Sequence, residues 1–158
     1  MATRKKSSRP ALEAVAESAK PLDLDAHPLS RYIKAHDAAR TLLVLEQQRL
    51  EGLGNSDALS EAENAKALAD ALEVNSAIGD LDAVHQSFMV KIFAGIIPPS
   101  EAVVAECEAM NRALAQIVVD ANRPAVLIRT VTKFVTFTTA VVNGEVPPSV
   151  ADTGGAKK

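Results

Sequence analysis

At 158 residues, with 47% apolar and 23% charged side chains, the chain is long enough for one domain with a real core. Aromatics are only 3%, with no Trp and one Tyr, so the core must be aliphatic; the Ala-rich, Gly-poor composition argues for packed helices over a β-sandwich. A net charge of -3 excludes a global field favouring nucleic acid, and a single cysteine, Cys107, excludes an intramolecular disulfide.

Residues 1–26 read as a flexible basic tail. Arg4, Lys5, Lys6 and Arg9 cluster there, and Lys157 and Lys158 close the chain. These are solvated ends or, on the sharper reading, a short electrostatic contact to an acidic partner, anionic lipid or nucleic acid. No aromatic residue is interleaved with them, so base stacking is not suggested. Pro10 and Pro21 bracket "ALEAVAESAK", two or three helical turns that are marginal in water without a docking surface. The basic start lacks the continuous apolar stretch of a signal peptide, and no apolar run approaches the ~20 residues that span a bilayer. A reducing, cytoplasmic setting is the expectation, with export by a route lacking a cleaved signal left open.

The first strong helix begins near Pro28, since Pro costs little at a first helical position. Tyr32, His36, Ala39, Leu43 and Leu50 form its apolar stripe, widened by Leu42 and Leu45. Gly52 and Gly54 are expected to end it in a left-handed turn. The next helix starts at Ser56 or Asp57, or one turn later with Ser60 and Glu63 as a capping box. Ala58, Ala62, Ala65, Leu68, Ala69 and Leu72 give it a narrow small-residue face. Gly79 interrupts, and Asp80 and Asp82 favour a fresh N-terminus. Leu81, Val84, Phe88, Ile92 and Ile96 continue the period. Residues 57–96 are therefore one kinked helix or two consecutive ones.

Ser100 caps the following helix, whose seam is Val103, Cys107, Met110, Leu114, Ile117 and Ala121. Pro124 stops it. The last element, "AVLIRTVTKFVTFTTAVVNG", has the composition of a strand, but Leu127, Val131, Phe134, Thr138 and Val141 step by four and three, which predicts a helix ended by Gly144. Residues 145–158 form a flexible C-terminal tail. The prediction is an all-α, up-and-down bundle of four to five helices over residues 27–144, with flexible tails.

A shift of 49 aligns "GIIPPS" with "GEVPPS" and places Phe88 on Phe137 and Ile92 on Val141. A shift of 47 relates Asn64 and Asn75 to Asn111 and Asn122. Two similar helical hairpins would give this echo; so would two amphipathic helices with Gly stops.

Motifs of chemistry are sparse. No glycine-rich phosphate loop or nucleophile elbow appears. Asp82 and His85 have a ligand-compatible spacing, but a di-metal bundle needs a second copy. A structural role is expected for them, a hydrogen-bonded one for His36, and a buried inert thiol for Cys107. Glu61, Glu63, Glu101, Glu106 and Glu108 read as solvated charges, so the expectation is no enzyme, no cofactor and no metal.

The function expected is a non-catalytic protein–protein interaction or assembly module, acting through another protein or self-association. Candidate contacts are Phe88, Met89, Phe93, Leu127, Val131, Phe134 and Phe137, unless these fill the domain's own core. The alternatives are a nucleic-acid-associated accessory protein using Arg4, Lys5, Lys6 and Arg9, or peripheral membrane binding by the last helix, where Arg129 and Lys133 share a face.

Overall fold

The computed structural model describes residues 26–117 and 123–148. Four helices lie among them: α1 (Pro28–Gly54), α2 (Glu61–Phe93), α3 (Glu101–Ile117) and α4 (Arg123–Asn143); no strand lies among the described residues. The N-terminal tail up to residue 25 and the C-terminal tail from residue 149 lie outside the described residues.

The helices form a bundle with alternating directions. α1 and α2 make one antiparallel hairpin: Tyr32 packs on His85 and Phe88 near one end, and Gly54 meets Leu68 at the other. α3 and α4 make the second. The hairpins lie side by side, α1 against α3 and α2 against α4, leaving α2 and α3 across the diagonal. Arg31 reaches both Glu101 and Glu108, so the beginnings of α1 and α3 share one end of the bundle. The up-and-down prediction holds with one difference. The link between α2 and α3 crosses the bundle instead of joining neighbours.

Three of the helices start with a local device. At α1, the Nδ1 of His27 accepts from Leu29 N–H at 3.2 Å, with Pro28 in the first turn. At α2 the later start is used: Glu63 N–H donates to Ser60 Oγ at 3.3 Å, and Ser60 N–H donates to Glu63 Oε2 at 2.9 Å. Hydrogen bonds from Ser60 hold the Glu63 carboxyl below its usual range. At α3, Ser100 Oγ accepts from Val103 N–H at 3.4 Å.

Helix ends differ from the sequence reading. Neither Gly52 nor Gly54 is left-handed; Asn55 closes α1, its side-chain amide donating to Glu51 O at 2.8 Å. Gly54 is needed for close approach instead, because a Cβ there would stand 2.4 Å from Leu68 Cγ. Gly95 and Gly144, by contrast, are left-handed, with φ +67° and +72°. Their bonds match: Gly95 N–H to Ile92 O and Ile96 N–H to Lys91 O, then Gly144 N–H to Val141 O and Glu145 N–H to Ala140 O. Both Pro-Pro-Ser sites thus follow the same Schellman turn.

The echo stops there. α2 runs unbroken for 33 residues through Asn75 and Gly79, so no polar break divides it. The first pair runs from Pro28 to Phe93 and the second from Glu101 to Asn143, a shorter stretch of chain. The two hairpins are therefore unequal.

Continuity also moves the face expected for the first half of α2. Ala58, Ala62, Ala65, Leu68, Ala69 and Leu72 are exposed, while Ala67, Ala71, Val74, Ala77 and Ile78 are buried. In one straight helix the period set by Leu81, Val84 and Phe88 extends backward without a phase change. A kink at Gly79 would have allowed a different face.

The helical reading of α4 stands. Leu127, Val131, Phe134 and Thr138 form its buried stripe. Its threonines fit because the hydroxyls of Thr130 and Thr132 donate to the carbonyls of Val126 and Ile128, at 2.8 and 2.9 Å. Leu127, Val131 and Phe134 join Tyr32, Leu43, Leu81, Phe88, Val103, Cys107 and Leu114 in one largely aliphatic core.

Candidate interaction surface

Three features outside the aliphatic core invite a functional reading. The first is the outer face of α2. Leu68, Leu72, Val90 and Phe93 are all exposed, Leu72 and Phe93 at 73% and 74%. At 100° per residue these four fall within about 60° of one another, on one stripe. Ala65, Gly79, Ala83 and Gln86 continue it, so the middle is small or uncharged and the two ends are bulky and apolar. Scattered apolar residues are ordinary on a protein surface; a stripe along one helix is not.

The second is a groove of about 640 Å³ on the outer face of α4. Ala125, Ile128, Arg129, Thr132, Lys133 and Phe137 line it from α4, together with Glu73 of α2 and Glu106 of α3. Pro148, beyond the end of α4, lines it too. The basic pair stands one helical turn apart, at i and i+4.

The third is a polar cluster between α1 and α2. His36 is 3% exposed, and its ring stacks on that of His85 with centroids 4.0 Å apart. His36 Nδ1 lies 3.2 Å from Asp37 Oδ1. Its Nε2 faces Asp82 Oδ1 at 3.7 Å, too long for a hydrogen bond. His85 Nδ1 meets the Tyr32 hydroxyl at 3.3 Å. Arg40 Nε donates to both oxygens of Asp82, at 2.9 and 3.1 Å. Burial, then the charge of His36, lowers the His85 pKa. Burial raises that of the Tyr32 phenol. Among the described residues, no three His, Cys, Asp or Glu side chains converge where a metal ion could be held. Asp82 and His85 share the cluster, but Asp82 is turned to Arg40 and His85 to Tyr32.

Glu46, on α1, was not singled out by the sequence. It is 2% exposed, while the neighbouring Leu45, expected on the apolar stripe, is exposed. Arg49 donates to both Glu46 oxygens, at 2.9 and 2.8 Å. Arg123 Nε stands 3.0 Å from Glu46 Oε2 without hydrogen-bond alignment, an ion contact across the diagonal between α1 and α4. The phase predicted for α1 puts position 46 inward, but Glu in that phase gives no apolar signal.

The predicted contact residues divide. Phe88, Leu127, Val131 and Phe134 are buried in the core and present nothing to a partner. Met89 and Phe137 are half-buried, packed against the core, and Phe137 also lines the α4 groove. Phe93 is exposed on the α2 stripe. The structure does not bring the seven together into one surface. Leu68, Leu72 and Val90 complete the exposed stripe, and the signal for them was their angular separation from Leu81, Val84 and Phe88. Arg4, Lys5, Lys6 and Arg9 lie outside the described residues.

One further correction concerns α4, Arg123–Asn143. By length and composition alone it is long and apolar enough to cross a membrane. Its Val, Leu, Ile and Phe residues carry the hydropathy between the few charges. In this fold its Leu127, Val131 and Phe134 are part of the bundle core. Comparison with protein-family models, curated proteins and solved structures returned no match.

Proposed function

We propose that the protein is a non-catalytic helical interaction module that seats an apolar partner surface along the outer face of α2. The observation that carries this reading is the alignment of Leu68, Leu72, Val90 and Phe93 on one exposed stripe. The intervening small residues let a partner helix approach closely, and bulky apolar ends give it two anchors. A second copy of the chain is one such partner. The polar features support this reading by having structural partners of their own: Asp82 pairs with Arg40 and Glu46 with Arg49.

The test is site-specific photocrosslinking in native cells from positions 72 and 93, with Lys133 as an exposed control, alongside light scattering across a concentration series. The expected result is a shared adduct from 72 and 93 that is absent from 133. The Leu72→Asp and Phe93→Asp substitutions should weaken that contact by tenfold or more, about 1.4 kcal/mol. A chain that stays monomeric and yields no specific adduct from either position is not an interaction module of this kind.

A further inference from the structure

We propose that residues 11–20 dock as a short helix on the end of the α2 stripe, over Val90, Phe93 and Ile96, so that the chain covers this patch itself. These three side chains are 63%, 74% and 61% exposed and stand together where α2 ends. The segment lies outside the described residues, and its sequence supplies a matching face. Between Pro10 and Pro21, Leu12, Val15, Ala16 and Ala19 recur at i, i+3, i+4 and i+7. Glu17 falls nearly opposite that face and Glu13 to one side of it. Both therefore stay in water, and docking asks for no charged partner.

The place where the chain enters the bundle favours this occupant over another molecule. Tyr32 packs on Phe88, His36 on His85 and Arg40 on Asp82, a ladder that puts the start of α1 level with the last turn of α2. Phe93 lies about 20° around α2 from Asp82, which faces α1 through Arg40. It therefore stands on the edge of the stripe nearest α1. Adjacent helix axes are about 8–10 Å apart. Residues 21–26 reach about 20 Å when extended, so the tether spans that gap. A helix of ten residues is about 15 Å long, enough to run along α2 from Ile96 past Val90. A tether this short holds the segment at an effective concentration on the order of millimolar, so a weak apolar contact is filled. The helix is marginal alone in water, and its order depends on the patch. A partner taking the whole stripe displaces the segment from this end, while Leu68 and Leu72 are open from the start; that consequence, unlike the docking, rests on the reading of α2 above.

Hydrogen exchange on the purified full chain, with no partner present, tests the docking separately from partner binding. The amides of residues 12–20 are expected to exchange at least about tenfold more slowly than an unstructured segment, at a rate independent of protein concentration. Val90→Asp with Phe93→Asp should abolish that protection while leaving the amides of α1 and α3 unchanged. Leu12→Asp with Val15→Asp, which alters no residue of the bundle, should abolish it too. Leu72→Asp, at the other end of the stripe, should leave it intact. Absent protection in the unmodified chain overturns the proposal. So does protection that rises with concentration, which places the segment on a second copy. Protection that survives the Val90 and Phe93 substitutions, or is lost with Leu72→Asp, overturns it as well.

Discussion

The imidazole of His36 on α1 lies flat against that of His85 on α2, centroids 4.0 Å apart and planes within 19°. Two cationic rings cannot share this contact cheaply, and burial of His85 penalises its charged form further. Around the pair stand Asp37 and Arg40 from α1 and Asp82 from α2, with the Tyr32 hydroxyl on His85.

A lowered folded-state pKa fixes the sign of the pH dependence. Below the unfolded value of about 6.5, the unfolded chain takes up a proton that folded His85 resists, so stability falls with pH. Above about pH 7 both states are neutral there and the contribution is flat. Urea denaturation between pH 8 and 5.5 should therefore show a midpoint that is level and then declines. His85→Gln should flatten the decline; an unchanged slope in that variant would assign it to other groups.

Glu46 is a buried carboxylate with charged partners. Glu46→Ala removes the carboxylate that Arg49 and Arg123 approach, leaving two cations at a half-covered site. Both arginines retain access to solvent, which limits the loss. The expected cost is about 1–3 kcal/mol by chemical denaturation. Glu46→Leu keeps the volume filled and should cost less; the reverse order would mean that the site does not accommodate an apolar side chain beside the two guanidinium groups.

Two helical glycines separate opposite effects. Gly79 lies inside α2 with nothing within 4 Å of an added Cβ. Gly79→Ala should stabilise by about 0.5–1 kcal/mol through reduced unfolded-state entropy. Gly54→Ala has the same entropic gain but meets Leu68, and should destabilise by about 1 kcal/mol net. Leu68→Ala should relieve that clash, so the double variant loses less than the sum of the singles. Additive losses would show that Leu68 already moves aside.

Cys107 offers a probe of opening. Burial, with the charge of Glu108, raises its thiol to about 12, and the residue is fully buried beside the Tyr32 carbonyl. At pH 8 a disulfide reagent should label it only as fast as the bundle opens, and the rate should climb with the unfolded fraction across a urea series. Prompt labelling of the native chain would contradict that burial.

The sequence made helix identity legible where several apolar residues repeated at one phase. The stripe Leu127, Val131, Phe134 and Thr138 outweighed the strand propensity of Thr and Val in α4. Phase itself was lost where Ala dominates. In the first half of α2, alanines occupy both the buried positions, 67 and 71, and the exposed ones, 62, 65 and 69. A residue with no polarity contrast cannot report which way it faces. Periodicity therefore groups Leu68 and Leu72 with those alanines on one small-residue face, and only the helix continuous through Gly79 makes that face an outer surface. Glu46 was hidden for the opposite reason: its neutralising partners are Arg49 and Arg123, and the second is remote in sequence. Neighbour order was equally hidden, since short connections say nothing about which diagonal a link crosses.

The diagonal link at residues 94–100 has a consequence for assembly. The main contacts between the hairpins, α1 with α3 and α2 with α4, join residues far apart in sequence, as Arg31 with Glu108 does, whereas contacts within each hairpin are more local. Each hairpin can therefore form before the two meet. Nothing in the packing requires the two hairpins to come from one chain. If the link were too short to cross the bundle, α3 and α4 could dock on the α1–α2 hairpin of a second molecule, with the same core reconstituted twice. Deleting Ile96 and Ile97 should convert a monomer into such an exchanged dimer, seen as doubled mass by light scattering with helix content retained; an unchanged mass would show that the shortened link still spans. The link's length is thus a setting for stoichiometry, adjustable without altering a single core residue.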